Sequence, residues 1–261
     1  MKLYPEYFIA ACAAHTGTRV SLRLQASSYG RQHWQDMGIQ LPRWVWVGAG
    51  SLAFVAGIVN VVGYLGFEHQ AITHLTGTTS LLGAAITAGD TRAILRLLGV
   101  VLAFVAGAMA SGLIIQDSTL RLGRRYGVVL TIEALLLAAA VPLFERQMIA
   151  GALFAAAACG LQNAMASTYS GSLIRTSHVT GLFTDLGIAM GHALRGMPVA
   201  RRRTALCALV ICGFLAGGIV GAWLYMHFGY RTLYFPAVLT GGAGLAYAGY
   251  RQRNLWSSQE K

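Results

Sequence analysis

This chain has little charge and very little acid. Of its 261 residues 11% are charged, and 9 Asp and Glu stand against 20 Lys and Arg. A soluble globular domain carries roughly a quarter of its residues as charged side chains, so a water-facing surface of ordinary size is excluded. Catalytic signatures are missing as well. There is no His-Glu-x-x-His pair for zinc, no Gly-x-Ser-x-Gly elbow and no phosphate-binding loop, and no enzyme activity is expected. The four cysteines, Cys12, Cys159, Cys207 and Cys212, have neither metal nor redox spacing. Three of them fall in apolar runs and read as small core residues. Short segments of alternating polarity are absent too, which excludes a membrane β-barrel.

What the chain has is hydrophobic residues, 56% of the total, and 32 glycines. The apolar residues gather in eight runs: Trp44–Phe67, Gln70–Gly89, Leu97–Gln116, Tyr126–Phe144, Gln147–Ile174, Thr176–Leu194, Thr204–Gly229 and Thr232–Tyr250. A helix needs about 20 mostly apolar residues to cross the hydrocarbon core, and lipid demands that each span satisfy its own backbone. The expected fold is therefore all-α, a polytopic transmembrane helical bundle of about eight hydrophobic segments. The second and sixth runs are the weakest, since they carry His74 and then His178, Asp185 and His192. Small residues recur every fourth position at Ala49, Ala53 and Gly57, and again at Gly213, Gly217 and Gly221. Such ridges let helix backbones approach closely in membranes.

The first 42 residues read as a basic polar tail lying near anionic headgroups, and residues 251–261 as a short polar tail. The opening "MKLYPEYFIAACAAH" is interrupted by Pro5 and Glu6, so no cleaved signal is expected. Met37, directly before "GIQLPRWVW", is an alternative start.

The most polar island within the apolar region is "NVVGYLGFEHQAITHLTGTTSLLG", Asn60–Gly83. Its pattern returns about a hundred residues later. Asn60, Tyr64, His74-Leu75-Thr76-Gly77 and Leu82-Gly83 are echoed by Asn163, Tyr169, His178-Val179-Thr180-Gly181 and Leu186-Gly187. That order suggests two sequence-related halves, residues 43–144 and 145–250, each with four runs. Such repeats are typical of transporters.

The Gly57-x-x-Asn60 and Gly160-x-x-Asn163 helices, the Gly63-Tyr64 step, Thr76-Gly77-Thr78 and the second His178-x-Thr-Gly block resemble the YoaK-like family of bacterial integral membrane proteins. The resemblance runs from Trp44 to Tyr250. It implies a multi-helix protein of the bacterial inner membrane, in a family without an established biochemical role.

If the first two runs form a hairpin turning near Glu68, Asn60 and Thr76 both lie about 12 Å down it, near the middle of a core about 30 Å thick. A turn near Gly171 does the same for Asn163 and Thr180. Each half could then bring an asparagine, a threonine, a glycine and a histidine together at depth. The expected solute pathway is Asn60, Tyr64, His74, Thr76, Gly77, Thr78, Asn163, His178, Thr180 and Gly181. The competing structural reading is helix glue, with threonine hydroxyls returned to the preceding turn and asparagines joining helices. Asp185 and Glu133 are the acids within spans and the candidates for proton coupling. Glu133 could instead pair with Arg124 or Arg125, and Asp185 could hydrogen-bond a neighbouring helix. His74 and His178 can exchange protons near neutral pH.

With the amino terminus inside, eight full spans put 15 of the 20 Lys and Arg on the inner side, and re-entrant second and sixth runs put 16 there. Both satisfy the positive-inside rule, with both termini cytoplasmic. An even number of crossings per half makes the repeats parallel and an odd number makes them inverted. Run lengths of about nineteen residues favour full spans. The function expected is a transporter or permease for a small solute of unidentified chemistry. A non-transporting receptor or assembly protein is the alternative. Anionic lipid at the basic loops and further copies of the chain in a homo-oligomer are the other partners expected. Nucleic acid, cofactors and metals are not expected.

Overall fold

The computed structural model describes residues 43–66, 75–115, 124–169 and 178–259. Each of the eight apolar runs becomes one α-helix: α1 Arg43–Gly66, α2 Leu75–Ala88, α3 Thr91–Ile114, α4 Arg124–Glu145, α5 Ile149–Tyr169, α6 Val179–Leu194, α7 Arg201–Phe228 and α8 Tyr234–Gln259. A 3-10 turn, Gly229–Leu233, joins α7 to α8. Among the described residues five stretches are long and apolar enough to cross a membrane. They are Trp44–Gly66, Thr91–Ile114, Arg125–Glu145, Ile149–Thr168 and Arg201–Tyr247, the last containing α7, the turn and the first half of α8.

The small-residue ridges pack against each other. A methyl group built on Gly57 of α1 would fall on the Phe214 carbonyl oxygen of α7, and one on Gly217 would fall on the Phe54 carbonyl oxygen. The pair α3 and α5 repeats the arrangement. A methyl on Gly107 would strike the Ala157 carbonyl oxygen, and one on Gly160 that of Phe104. In both crossings a glycine meets the carbonyl three residues before the partner's glycine. The sequence marks this with Phe54-Val-Ala-Gly57, Phe104-Val-Ala-Gly107 and Phe214-Leu-Ala-Gly217. A side chain at any of these glycines would push the backbones apart and lose the dispersion contacts that hold membrane helices together.

Contacts along the helices fix their directions. Gly50 meets Leu209, and Gly66 meets Tyr225 and Tyr230, so α1 and α7 run parallel. Gly99 meets Leu153, with Gly107 and Gly160 higher on the same pair, so α3 and α5 also run parallel. Gly127 meets Gly244, Gly241 meets Ala134, and Arg231 pairs with Glu145, so α4 and α8 run antiparallel.

The bundle consequently has two ends with different contents. One, here the hairpin end, gathers the ends of α1, α4 and α7 and the starts of α3, α5 and α8 around Val62, Val100, Phe144, Ala152 and Leu233. The other, here the basic end, gathers the starts of α1, α4 and α7 and the end of α3 around Val45, Ile115, Tyr126 and Leu206. Arg125 and Arg201–Arg203 lie there.

The end of α1 and the start of α3 therefore lie at the same end of the bundle. Helix α2 between them has 14 residues, about 21 Å at the usual rise, and α6 has 16; both fall short of a span of about 20 residues. This differs from the full spans favoured by run length. Gly89, with φ +70, turns the chain, and the Asp90 carboxylate accepts from the Ala93 N–H at 3.0 Å to cap α3.

Candidate functional site

The two motif regions do not form the hairpins expected of them. Among the described residues α2 packs on α3 and α6 on α7, and neither touches the helix before it. Asn60 and Thr76 are thus not brought together by an α1–α2 hairpin, nor Asn163 and Thr180 by an α5–α6 hairpin. Asn60 and Asn163 are half-buried, each one turn beyond a crossing glycine, Gly57 or Gly160. Tyr64, Thr76 and Gly77 are exposed and Thr78 is buried. His74 lies outside the described residues.

Several hydroxyls of the first motif are returned to their own helix, Thr79 to the Leu75 carbonyl at 2.8 Å and Ser80 to that of Thr76 at 3.1 Å. In the second motif Thr184 bonds the Thr180 carbonyl at 3.1 Å. His178 is exposed at the start of α6 with Thr180, and its ring occupies the space where a side chain at Gly181 would sit. Asp185 is half-exposed and forms an ion pair with Arg203 of α7 at 3.0 Å.

Glu133 is the contrasting acid. It is 2% exposed, and its Oε2 has no hydrogen-bond partner; of the two arginines expected as partners, the Arg124 side chain lies outside the described residues and Arg125 supplies none to this oxygen. It lies on the buried stripe of α4 with Tyr126, Val129, Leu137 and Phe144, within electrostatic reach of the Cys159 thiol on α5. Gln162 Nε2 on α5 and Ser111 Oγ on α3 are also buried without partners.

A cavity of about 850 Å³ opens between α1 and α8, within the range of about 300–1,000 Å³ usual for ligand sites. Its α1 wall includes Val45, Gly48, Ala49 and Leu52, and its α8 wall Phe235, Leu239 and Ala243. Leu130 of α4, Met165 and Ala166 of α5 and Leu209 of α7 close the back. The lining is predominantly apolar. Its polar side chains are Trp44, Ser51, Tyr126 and Thr240, and the Thr240 hydroxyl is returned to the Pro236 carbonyl. Run-by-run reading missed this cavity because its walls are the first and last helices. A weak signal existed in Val129-Leu130-Thr131 and Val238-Leu239-Thr240, whose threonines make the same back-bond, to Gly127 and Pro236.

The hairpin end is shut. The Tyr230 ring stacks on Phe144 at 4.9 Å and meets Tyr225 edge-on at 5.7 Å. Its hydroxyl donates to the Gly66 carbonyl, and the Arg231–Glu145 pair at 2.9 Å closes the same corner.

These features define a membrane-type helical bundle with one end closed and an apolar cleft toward the other. The chain belongs to DUF1275, a family of proteins of unknown function, whose match covers residues 49–246. No curated protein and no solved structure matches it.

Proposed function

We propose that the protein is an alternating-access permease of the bacterial inner membrane for an apolar or amphipathic small solute. In this reading the two halves are α1–α4 and α5–α8, and α1, α3, α4, α5, α7 and α8 cross the membrane. Three crossings per half make the halves inverted, the arrangement that underlies rocking transporters. The basic end faces the cytoplasm with both termini, which puts 16 of the 20 Lys and Arg inside and brings anionic lipid to the arginines.

One observation carries the proposal. If α1 corresponds to α5 and α4 to α8, the α4–α5 seam and the α8–α1 seam are equivalent. The first is packed tight and the second stands open around the cavity. An inverted repeat caught in one of its two states has this asymmetry, and exchange of the two conformations would open a matching cleft at the hairpin end. The solute contacts the groove. Asn60 and Asn163, beside the crossings, supply polar contacts along the pathway. The two Thr-Gly steps, Thr76-Gly77 on α2 and Thr180-Gly181 on α6, serve opposite mouths rather than one shared site.

Spin-label distances in liposomes test this on a chain whose native cysteines are replaced. One pair, Val47→Cys with Val238→Cys, spans the open seam, and another, Leu135→Cys with Phe154→Cys, spans the closed one. Alternating access requires two distances in each pair, with populations that trade. A single fixed distance in both pairs would overturn it in favour of a static receptor or scaffold. A thiol at Thr91→Cys should react from the side opposite to one at Trp44→Cys, at the start of α1; reaction from the same side would restore a full span for α2.

A further inference from the structure

We infer that Glu133 carries the coupling proton of the transport cycle, an inference that rests on the alternating-access reading above. Glu133, Gln162 and Ser111 come from α4, α5 and α3, are 2%, 3% and 0% exposed, and each keeps one polar side-chain atom without a partner. Phe144 packs on Gly151 at the α4–α5 turn. Counting back along the antiparallel pair brings Glu133 to the level of Gln162, and Ser111 lies one turn beyond the Gly107 crossing on α3.

An unpaired carboxylate enclosed by helices is costly to keep charged, and a buried polar group left unpaired is rare enough to need a reason. A hard metal cation asks for about six oxygen ligands. The layer supplies side-chain oxygens from three residues only, whereas a proton needs a single lone pair. Of the elements packed on α4, α5 brings Cys159 toward Glu133. The 3-10 turn brings Tyr230 and Arg231, and α8 brings Tyr247, all toward the helix ends. Helix α3, which also touches α4, carries Arg92 and Arg96 in its first two turns, at the hairpin end. Among the described residues none of these groups is a cation at the level of the carboxyl.

Position gives the layer its use. Glu133 sits inside the closed α4–α5 seam, yet Leu130 on the same helix, and Met165 and Ala166 one turn from Gln162, form the back of the open groove. A thin layer therefore separates the acid from either face. When the seam opens toward the hairpin end, the carboxylate takes H⁺ from water there and an O–H bond forms. The neutral acid lets the seam close. With the groove open, the O–H bond breaks and H⁺ passes to water on the basic side. Glu133 has no acidic counterpart in the other half, where the matching position of α8 is Gly242, so each cycle carries one proton.

The same spin-label pair across α4 and α5 provides the test. In wild type the closed-to-open ratio should rise as pH falls, approaching tenfold per pH unit for one linked proton. Glu133→Gln, which imitates the neutral acid, should favour the closed seam and lose the pH response. Infrared spectroscopy of unlabelled wild type should show the carboxylic acid band of a buried neutral carboxyl, absent from Glu133→Gln. Two seam states with no pH response in wild type would overturn the proton role while leaving alternating access intact. So would a full response retained in Glu133→Gln, or the absence of the acid band. A single seam state at every pH would remove the alternating-access reading, and this inference with it.

Discussion

The proposed repeat makes the seam between α4 and α5 the counterpart of the seam between α8 and α1, and the two are packed differently. The first is filled by Leu137, Val141, Phe144, Ala152, Ala155 and Ala156 and encloses an acid. The second is parted by a cavity. The difference does not lie in the crossings that hold the framework, because Gly57 with Gly217 and Gly107 with Gly160 are near copies. It lies at the ends of the seams. The short turn at residues 146–148 ties α4 to α5, whereas α8 and α1 are far apart in the chain and have no connection to hold them. In the alternating-access reading proposed above the two crossings are the pivots, and the experiments that probe the comparison hardest act on them.

The largest effect is expected at Gly217→Val. The side chain would collide with the Phe54 carbonyl, which is backbone and cannot swing aside. Overpacking of this kind costs about 1–3 kcal/mol or more, read as a lower melting temperature and loss of monodisperse protein in detergent. Gly218→Val, one residue away with open space around it, should melt close to wild type. Gly107→Val should match Gly217→Val; a much milder effect there would break the equivalence of the two crossings.

Next in size is a change to the open seam alone. Gly48 lines the cavity and has no atom near a would-be Cβ, so Gly48→Phe should fill the groove without disturbing the fold. A compound from an apolar and amphipathic library that binds wild type at a hundred times its Kd stabilises by about 2.7 kcal/mol. Thermal-shift screening should show that gain lost in Gly48→Phe while the unliganded melting temperature stays put. Stabilisation that survives the substitution would place the ligand elsewhere.

Much of this framework was legible before any coordinates. Each apolar run became one helix, because lipid-length hydrophobicity is a local property of the chain. The ridges at Ala49, Ala53, Gly57 and Gly213, Gly217, Gly221 met as packing surfaces, because close approach demands small residues whatever the partner. Partner choice was less legible. Thr76 and Thr180 sit on helices that pack forward on α3 and α7 rather than back on α1 and α5, and no local pattern in those segments distinguishes the two. The isolation of Glu133 was hidden for a similar reason. An arginine two turns away in sequence suggested a partner, and only the tertiary arrangement reveals the acid buried with an oxygen left unpaired. Asp185 went the other way, gaining Arg203 from the adjoining helix.

The closed end offers a smaller test. Tyr230→Phe keeps the ring stack on Phe144 and removes the hydrogen bond to the Gly66 carbonyl, a loss of about 1 kcal/mol. Arg231→Ala removes the pairing with Glu145, which is exposed. Combined, the two changes should enlarge the open population of the α4–α5 seam without unfolding the bundle. An unchanged distance distribution would mean that the seam is held by its apolar filling alone.

The smallest effect belongs to Asp185→Asn, and it separates the two acids named from sequence as coupling candidates. The Asp185–Arg203 pair is 3.0 Å long with both side chains about half exposed, and a pair of that kind contributes under about 1 kcal/mol. Its loss should leave the melting temperature nearly unchanged and the pH response of the α4–α5 seam intact. Glu133→Gln should abolish that response. Both acids occupy apolar runs, but only Glu133 is enclosed without a partner, so the contrast between the two variants measures what enclosure adds. If Asp185→Asn removed the pH response instead, the proton would belong at the mouth beside α6, and the buried layer would be a packing feature of the closed seam.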